Sequence, residues 1–231
     1  MSTNLLCRMA QKNDTKLQNM DGPSAVLKKL SRGRPRKFDR DVALESAMRV
    51  FWSNGFLGTS NSELCRAMGI NSPSLYSAFG SKEQLYIEAV GRYTELAYAS
   101  IWHHLSDAAT AREGMQKALL AAAEAMPANG LLPSGCMITL ATVGEECPSA
   151  VAEALKGFRL AALGQIQETI ERGVSACELP TATDVCALAR YYTGVIQGMA
   201  IQARDGAKKA DLLPVAKVAM AAWQTPAYRS G

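Results

Sequence analysis

Helix-start signals follow one another closely between residues 39 and 84, and they constrain the fold more than any other feature of the chain. They predict a helix over 39–54, a second over 60–68, a third over 71–79 and a long fourth over 81–105. Each begins at an Asp, Ser or Asn, whose side chain can accept hydrogen bonds from the first turn, and the first three end next to a glycine. Two short helices joined by a glycine-containing turn form a helix-turn-helix unit, with the third helix as its reading element. An ordinary helical corner is the alternative interpretation.

A basic segment comes directly before the first of these helices. Residues 32–38 read RGRPRKF, and positions 28–40 hold seven basic residues and one acidic residue. The half of the chain up to residue 106 carries a net charge of +5, whereas the remainder carries −1. This asymmetry indicates a phosphate-bearing partner at one end. We interpret 32–38 as an arm that places Arg34 and Arg36 in a DNA minor groove, with a solvated linker or an independent hook as alternatives.

The rest of the chain is predicted to be helical, which makes the fold all-α. Further helices are expected over 110–125, 134–145, 148–176, 183–205 and 211–224, and 1–31 is expected to be a flexible leader. No apolar run reaches the roughly 18 residues of a membrane span, and the N-terminus is too polar for a secretory signal peptide. A cytoplasmic protein without a membrane partner is therefore expected.

Enzyme and metal signatures are absent from the sequence. The chain has no phosphate-binding G-x-x-x-x-G-K-[ST] loop, no G-x-S-x-G and no H-E-x-x-H. Its six cysteines are scattered without a C-x-x-C spacing, and the two adjacent histidines, His103 and His104, would point in different directions on a helix. We therefore expect no enzyme activity, no metal and no cofactor. Buried reduced thiols are the simplest interpretation of the cysteines, and a redox or electrophile sensor is the alternative.

Two glycines one helical turn apart suggest where two subunits would meet. Gly194 and Gly198 lie on a largely apolar helix, where small side chains permit close approach of another helix. A helix-turn-helix reader usually acts as two copies, so a homodimer seam is favoured over internal packing. The predicted seam comprises Gly194, Val195, Gly198, Met199, Gln202 and Trp223.

The run ALESAMRVFWSNGFLGTSNSELCRAMGINSPSLYSAFGSKEQLYIEAV, residues 43–90, resembles the TetR family of transcriptional regulators. The resemblance is specific over about 39–95 and looser beyond, where GCMITLA at 135–141 also fits. It implies an all-helical homodimer with a three-helix DNA-binding head, residues 32–80 including the arm. It also implies a larger helical body, residues 81–231, which binds a small effector, dimerises, and is joined to the head by the connecting helix 81–105.

The resemblance also implies which residues meet DNA. Thr59, Tyr76 and Lys82 match family positions that contact the phosphate backbone. Residues on the reading helix are expected to face the major groove of a double-stranded operator, and serine there reads bases with little selectivity. Specificity is therefore expected to depend partly on DNA shape. The expected groove-facing residues are Asn71, Ser72, Pro73, Ser74 and Ser77.

The family's effector pocket lies among the long helices of the body. The candidates for its lining are Trp102, His103, Met137, Phe158, Tyr191 and Tyr192, each of which would serve equally as core packing. The predicted function is a DNA-binding transcriptional regulator, a repressor that a small molecule releases from a two-fold operator. A cysteine-based sensor, an activator and an interaction module that does not bind DNA are the alternatives.

Overall fold

The computed structural model describes residues 38–130, 132–141 and 147–224, and this part of the chain is all-helical without a strand. The leader 1–31 and the arm with Arg34 and Arg36 lie outside the described residues. The helices are α1 (Arg40–Asn54), α2 (Asn61–Met68), α3 (Ser72–Phe79), α4 (Lys82–Ala97), α5 (His103–Asp107), α6 (Ala111–Ala125), α7 (Ser149–Ser175), α8 (Val185–Arg204) and α9 (Lys209–Ala219). In the described part, no helix is long and apolar enough to cross a membrane.

Helices α1, α2 and α3 form a compact head, and their starts are those that the sequence predicted. The carboxylate of Asp39 accepts from the amides of the first turn of α1, Ser60 accepts from the Glu63 amide at 3.2 Å, and Asn71 accepts from the Ser74 amide at 2.9 Å. The turn between α2 and α3 passes through Gly69, whose φ of +67° favours glycine. The head is therefore a helix-turn-helix unit with α3 as its second helix.

The connecting helix is not the uninterrupted α-helix that the sequence predicted. After α4, residues Tyr98–Trp102 form a π-helical turn before α5 continues. The ring Nδ1 of His103 lies 3.1 Å from the Tyr98 carbonyl oxygen, beside the backbone bond that closes this turn. Side-chain periodicity does not distinguish one π turn from α-helix, and such turns are frequent at functional sites.

The prediction of a helix over 134–145 is wrong for the residues that the structure describes. Residues 132–141 form a succession of turns, which we call the crossing segment. Gly135 has a φ of +79°, and a Cβ atom there would lie 2.8 Å from the carbonyl oxygen of Ala200 on α8. The Gly135 amide donates to the Met126 carbonyl at the end of α6, at 2.7 Å. These tertiary contacts override the local helix propensity.

The body, residues 81–224, packs α6, α7, α8 and α9 around its own apolar core. Glu178, in the loop after α7, caps α6 from a distance in sequence: its two carboxylate oxygens accept from the amides of Ala111 and Arg112 at 2.9 and 2.8 Å. The head core extends beyond residue 80, because α4 along its whole length and the first turns of α7 contribute buried side chains to it. Head and body therefore share helices rather than a flexible linker.

Tyr86 on α4 gives the head core a measurable pH dependence. It is 1% exposed, its ring packs edge-on against Phe51 and Phe56, and burial raises its pKa to about 12. Because the fold favours the neutral phenol, this stabilisation is full below an unfolded pKa of about 10 and is lost as pH rises through the folded value. We expect the free energy of unfolding of Tyr86→Phe, measured with urea, to fall less than that of wild type between about pH 8 and about pH 11.

Candidate DNA interface and effector cavity

One face of α3 is anchored in the head and the other is open. Leu75 and Phe79 are buried, whereas most of the predicted groove-facing residues are exposed. Exposed are Asn71, Ser72, Pro73 and Ser77, and Ser74 is half-buried. Because the apolar residues recur at helical spacing, the polar face of α3 points away from the core as a unit. This arrangement suits a helix that enters a DNA groove.

Tyr76 stands at the border of this open face. Its side chain is 47% exposed, and its hydroxyl oxygen accepts a hydrogen bond of 2.7 Å from the Nδ2 atom of Asn61 in the first turn of α2. The bond uses a lone pair and leaves the phenolic proton free to donate. A donor held in one position at a helix-turn-helix surface can bind a phosphate oxygen.

Lys82 occupies the first turn of α4, next to the end of α3. Its ammonium lies 4.4 Å from the centre of the Phe56 ring, and partial burial lowers its pKa. The cation is thus held against an aromatic face, and none of the ion pairs among the described residues includes it. A phosphate at this helix start would meet both the ammonium and the free amides of the first turn.

The structure corrects the expectation for Thr59. This residue is 1% exposed, and its hydroxyl donates to the Gly55 carbonyl at 2.7 Å. The side chain therefore closes the end of α1, and its hydroxyl is buried rather than open at the surface. Its neighbour Ser60 is exposed, but its hydroxyl caps α2.

Arg40 connects the helices of the head through its side chain, and the sequence did not predict this role. Its guanidinium lies 4.4 Å from the Phe79 ring centre and 2.6 Å from the Glu88 carboxylate, so it links α1, α3 and α4. A cation three residues before Ala43, the first buried apolar residue of α1, gives no sequence signal for this role. The contacts fix how α3 is presented relative to α4.

A cavity of about 480 Å³ lies in the body, beside the π-helical turn. Its walls come from α4, the π turn, the crossing segment, α7 and α8. Four aromatic rings lie among aliphatic and neutral polar side chains in the lining, and Arg159 and Glu95 are its charged side chains. This volume is in the range of small-molecule sites. The lining residues on which the argument below depends are Tyr93, Tyr98, Trp102, Cys136, Phe158 and Arg159.

Two of the six residues predicted for the pocket line this cavity, namely Trp102 and Phe158. The other four require correction, since His103, Met137, Tyr191 and Tyr192 are not among its lining residues. Met137 is buried in the head core, Tyr192 is buried against Trp223, and Tyr191 is 43% exposed on the surface. The His103 and His104 rings lie against each other, with centres 3.9 Å apart and planes tilted by 41°, and do not point apart as predicted. No metal-binding cluster occurs in the described ranges.

The cavity is connected to the head by two structural links besides α4. In the crossing segment, Cys136 lines the cavity while its neighbour Met137 is buried in the head core. At the end of α8, the guanidinium of Arg204 donates to the carbonyl oxygens of Trp52 and Ser53 at 2.8 and 3.3 Å. The crossing segment and α8 therefore each contact both the cavity and the head.

The predicted dimer seam divides into buried and accessible positions. Met199 and Trp223 are 0% and 2% exposed inside the subunit's own core, which corrects their assignment to the seam. Gly194 and Gln202 are exposed, and Val195 and Gly198 are half-buried. A Cβ atom added at Gly194 or Gly198 would meet nothing within 4 Å of the same subunit. Nothing inside the described subunit therefore requires glycine at these two positions.

These features define a class, a helix-turn-helix DNA-binding protein with a helical body that encloses a cavity. Residues 43–89 match the family model "Bacterial regulatory proteins, tetR family". The chain is 33% identical over 199 residues to the HTH-type transcriptional repressor ComR of Escherichia coli K12, which covers 84% of this chain and 93% of ComR. It is 36% identical to the repressor BdcR of the same organism over 49% of this chain and 58% of BdcR.

The fold comparison agrees with the sequence comparison. A cysteine mutant of the TetR family transcriptional regulator CifR, solved with 26-bp double-stranded operator DNA, superposes with a TM-score of 0.78 at 38% identity. The match covers 83% of this chain and all of the CifR chain. The chain therefore belongs to the TetR family. It is a DNA-binding transcriptional regulator and not an enzyme, which confirms the prediction from residues 43–90.

Proposed function

We propose that the chain is a repressor that binds a two-fold operator as a homodimer and is released from it by a small molecule in the body cavity. The observation that carries the proposal is the open polar face of α3, held beside Tyr76 and Lys82 while Leu75 and Phe79 anchor it. The repressors ComR and BdcR and the DNA-bound CifR support it by similarity. Such a protein would act in the cytoplasm, where its operator lies.

In this proposal, phosphate contacts set the register and α3 reads the bases. Tyr76 and Lys82 would bind phosphates, and the exposed residues of α3 would face the major groove. Arg34 and Arg36 would enter the adjacent minor groove. Two heads would have to meet half-sites about 34–36 Å apart. Small tilts of the heads therefore decide whether both can bind at once.

Release would work through the elements that the cavity and the head share. Occupation of the cavity would favour one arrangement of the π-helical turn and the crossing segment. Because α4 begins in the head at Lys82 and Arg204 holds the end of α1, this arrangement would set the head's orientation. An effector can shift the equilibrium only as far as it binds the two arrangements with different affinities.

A cysteine-based sensor is the second candidate, and Cys136 is the observation that favours it. Its sulfur lines the cavity and accepts from the Thr139 amide at 3.5 Å, whereas burial raises the pKa of the Cys147 thiol and makes it a poorer nucleophile. With N-ethylmaleimide, the Cys136 sulfur would bond to one alkene carbon of the ring and the thiol proton would end on the other. If this is the signal, alkylation abolishes operator binding by wild type but not by Cys136→Ser.

Selection of bound fragments from random duplex DNA tests the proposed function. We expect an enriched motif with two-fold symmetry, because a dimer presents two copies of α3. Binding that is strongly salt-dependent but enriches no motif would contradict sequence-specific reading. The motif also supplies the operator duplex for every affinity measurement below.

A further inference from the structure

The geometry points to an aromatic carboxylate as the class of effector that the cavity binds, with the carboxylate on Arg159 and the ring among the aromatic walls. This inference rests on the proposed function, because it names the ligand of the proposed effector site. It is carried by the charge balance of the cavity, by an enclosed guanidinium nitrogen without a partner, and by the composition of the walls.

The cavity carries one uncompensated positive charge in the described part of the chain. Two charged side chains line it, Glu95 and Arg159. Glu95 is paired with Arg92 at 2.6 Å, and its side chain is 66% exposed. Arg159 forms no ion pair with any described acidic side chain. The cavity therefore attracts an anion rather than a cation.

The Nη1 atom of Arg159 is enclosed and has no hydrogen-bond acceptor. Leaving a guanidinium donor buried without a partner is unfavourable, and guanidinium pairs best with a planar carboxylate. The charge also lies close to the head core: burial raises the pKa of Tyr86 to about 12, and the positive charge of Arg159 acts against that rise. A carboxylate at Arg159 would thus sit between the cavity and the head.

The remaining walls suit a flat aromatic body. The rings of Tyr93, Tyr98, Trp102 and Phe158 line the cavity. The hydroxyl of Thr94 is already engaged, since it donates to a carbonyl of its own helix at 2.6 Å, and Thr193 does the same at 2.8 Å. The other neutral polar side chains of the lining are those of Thr139, Gln165 and Gln197. They can orient a ring substituent, but they carry no charge that would compete with Arg159 for an anion. A volume of about 480 Å³ accommodates two fused rings and a carboxylate.

Titration calorimetry with 1-naphthoate and its neutral isostere 1-naphthamide tests the inference. We expect wild type to bind naphthoate about tenfold more tightly than naphthamide, as a charge-assisted hydrogen bond provides. Arg159→Gln should lose this preference and bind both probes with similar affinity. Lys156→Gln, which removes the same charge from an exposed position on α7, should keep the wild-type preference. Arg159→Lys keeps a charge without the guanidinium fork and should keep part of it.

Three results would overturn the inference. They are equal affinity of wild type for the two probes, an undiminished preference for naphthoate in a folded Arg159→Gln, and no binding of naphthoate at millimolar concentration. Circular dichroism of each variant establishes that it is folded. A separate measurement, the operator affinity at saturating naphthoate, tests the proposed function. If naphthoate binds through Arg159 but operator affinity stays unchanged, the ligand class stands and the release mechanism fails.

Discussion

The double variant Tyr76→Phe/Lys82→Gln should bind the selected operator about a hundredfold more weakly than wild type. Each substitution removes one proposed donor to phosphate, and a hydrogen bond to a charged group contributes about tenfold. Tyr76 loses only a hydroxyl on a 47% exposed ring, and Lys82 keeps an aliphatic stem over Phe56. The fold should therefore survive both changes. Fluorescence anisotropy of a labelled duplex, repeated at several salt concentrations, measures the effect.

The salt dependence of operator affinity distinguishes the loss of a phosphate contact from a structural change in the head. Removing the Lys82 charge should lower the slope of log affinity against log salt by about 1, whereas Tyr76→Phe alone should leave it unchanged. Lys217→Gln is the matched control, because Lys217 is an exposed lysine of α9, far along the chain from the head. A double variant that binds the operator as tightly as wild type would remove Tyr76 and Lys82 from the proposed interface.

The head could be predicted from the sequence because its structure is set locally. Asp39, Ser60 and Asn71 start their helices with hydrogen bonds that span two or three residues, and the glycines that follow end them. Such signals depend on neighbours in the chain and not on the tertiary fold. The open face of α3 followed from the same source, since Leu75 and Phe79 lie one turn apart.

The cavity could not be predicted in the same way, because contacts distant in sequence build it. Gly135 turns the chain under the backbone of α8 where propensity favours a helix, and the π-helical turn changes which side chains of the connecting helix face inward. Thr59 fits a phosphate-contact position by resemblance, yet its hydroxyl is used inside the head. Arg159 gave no signal because a lysine or arginine on a long helix is usually solvated.

The subunit interface offers the other large effect, and Gly194 and Gly198 are the positions to test. An interior helix glycine costs about 1 kcal/mol relative to alanine, and here no contact within the described subunit repays it, since an added Cβ would meet nothing within 4 Å. Close approach of a partner's helix would explain both residues. We therefore expect Gly194→Leu/Gly198→Leu to keep its helicity, to sediment as a monomer and to lose more than about a hundredfold in operator affinity, because one head binds only one half-site.

Gly91→Leu separates this effect from a general response of the helices to leucine. Gly91 lies on α4 and also has open space around an added Cβ, so this variant gains the same helix propensity away from the proposed seam. It should remain a dimer and bind the operator like wild type in sedimentation and anisotropy measurements. A Gly194→Leu/Gly198→Leu protein that is still dimeric would place the seam elsewhere on the body. A monomeric variant with undiminished operator affinity would instead show that one head suffices, which the two-fold operator model does not allow.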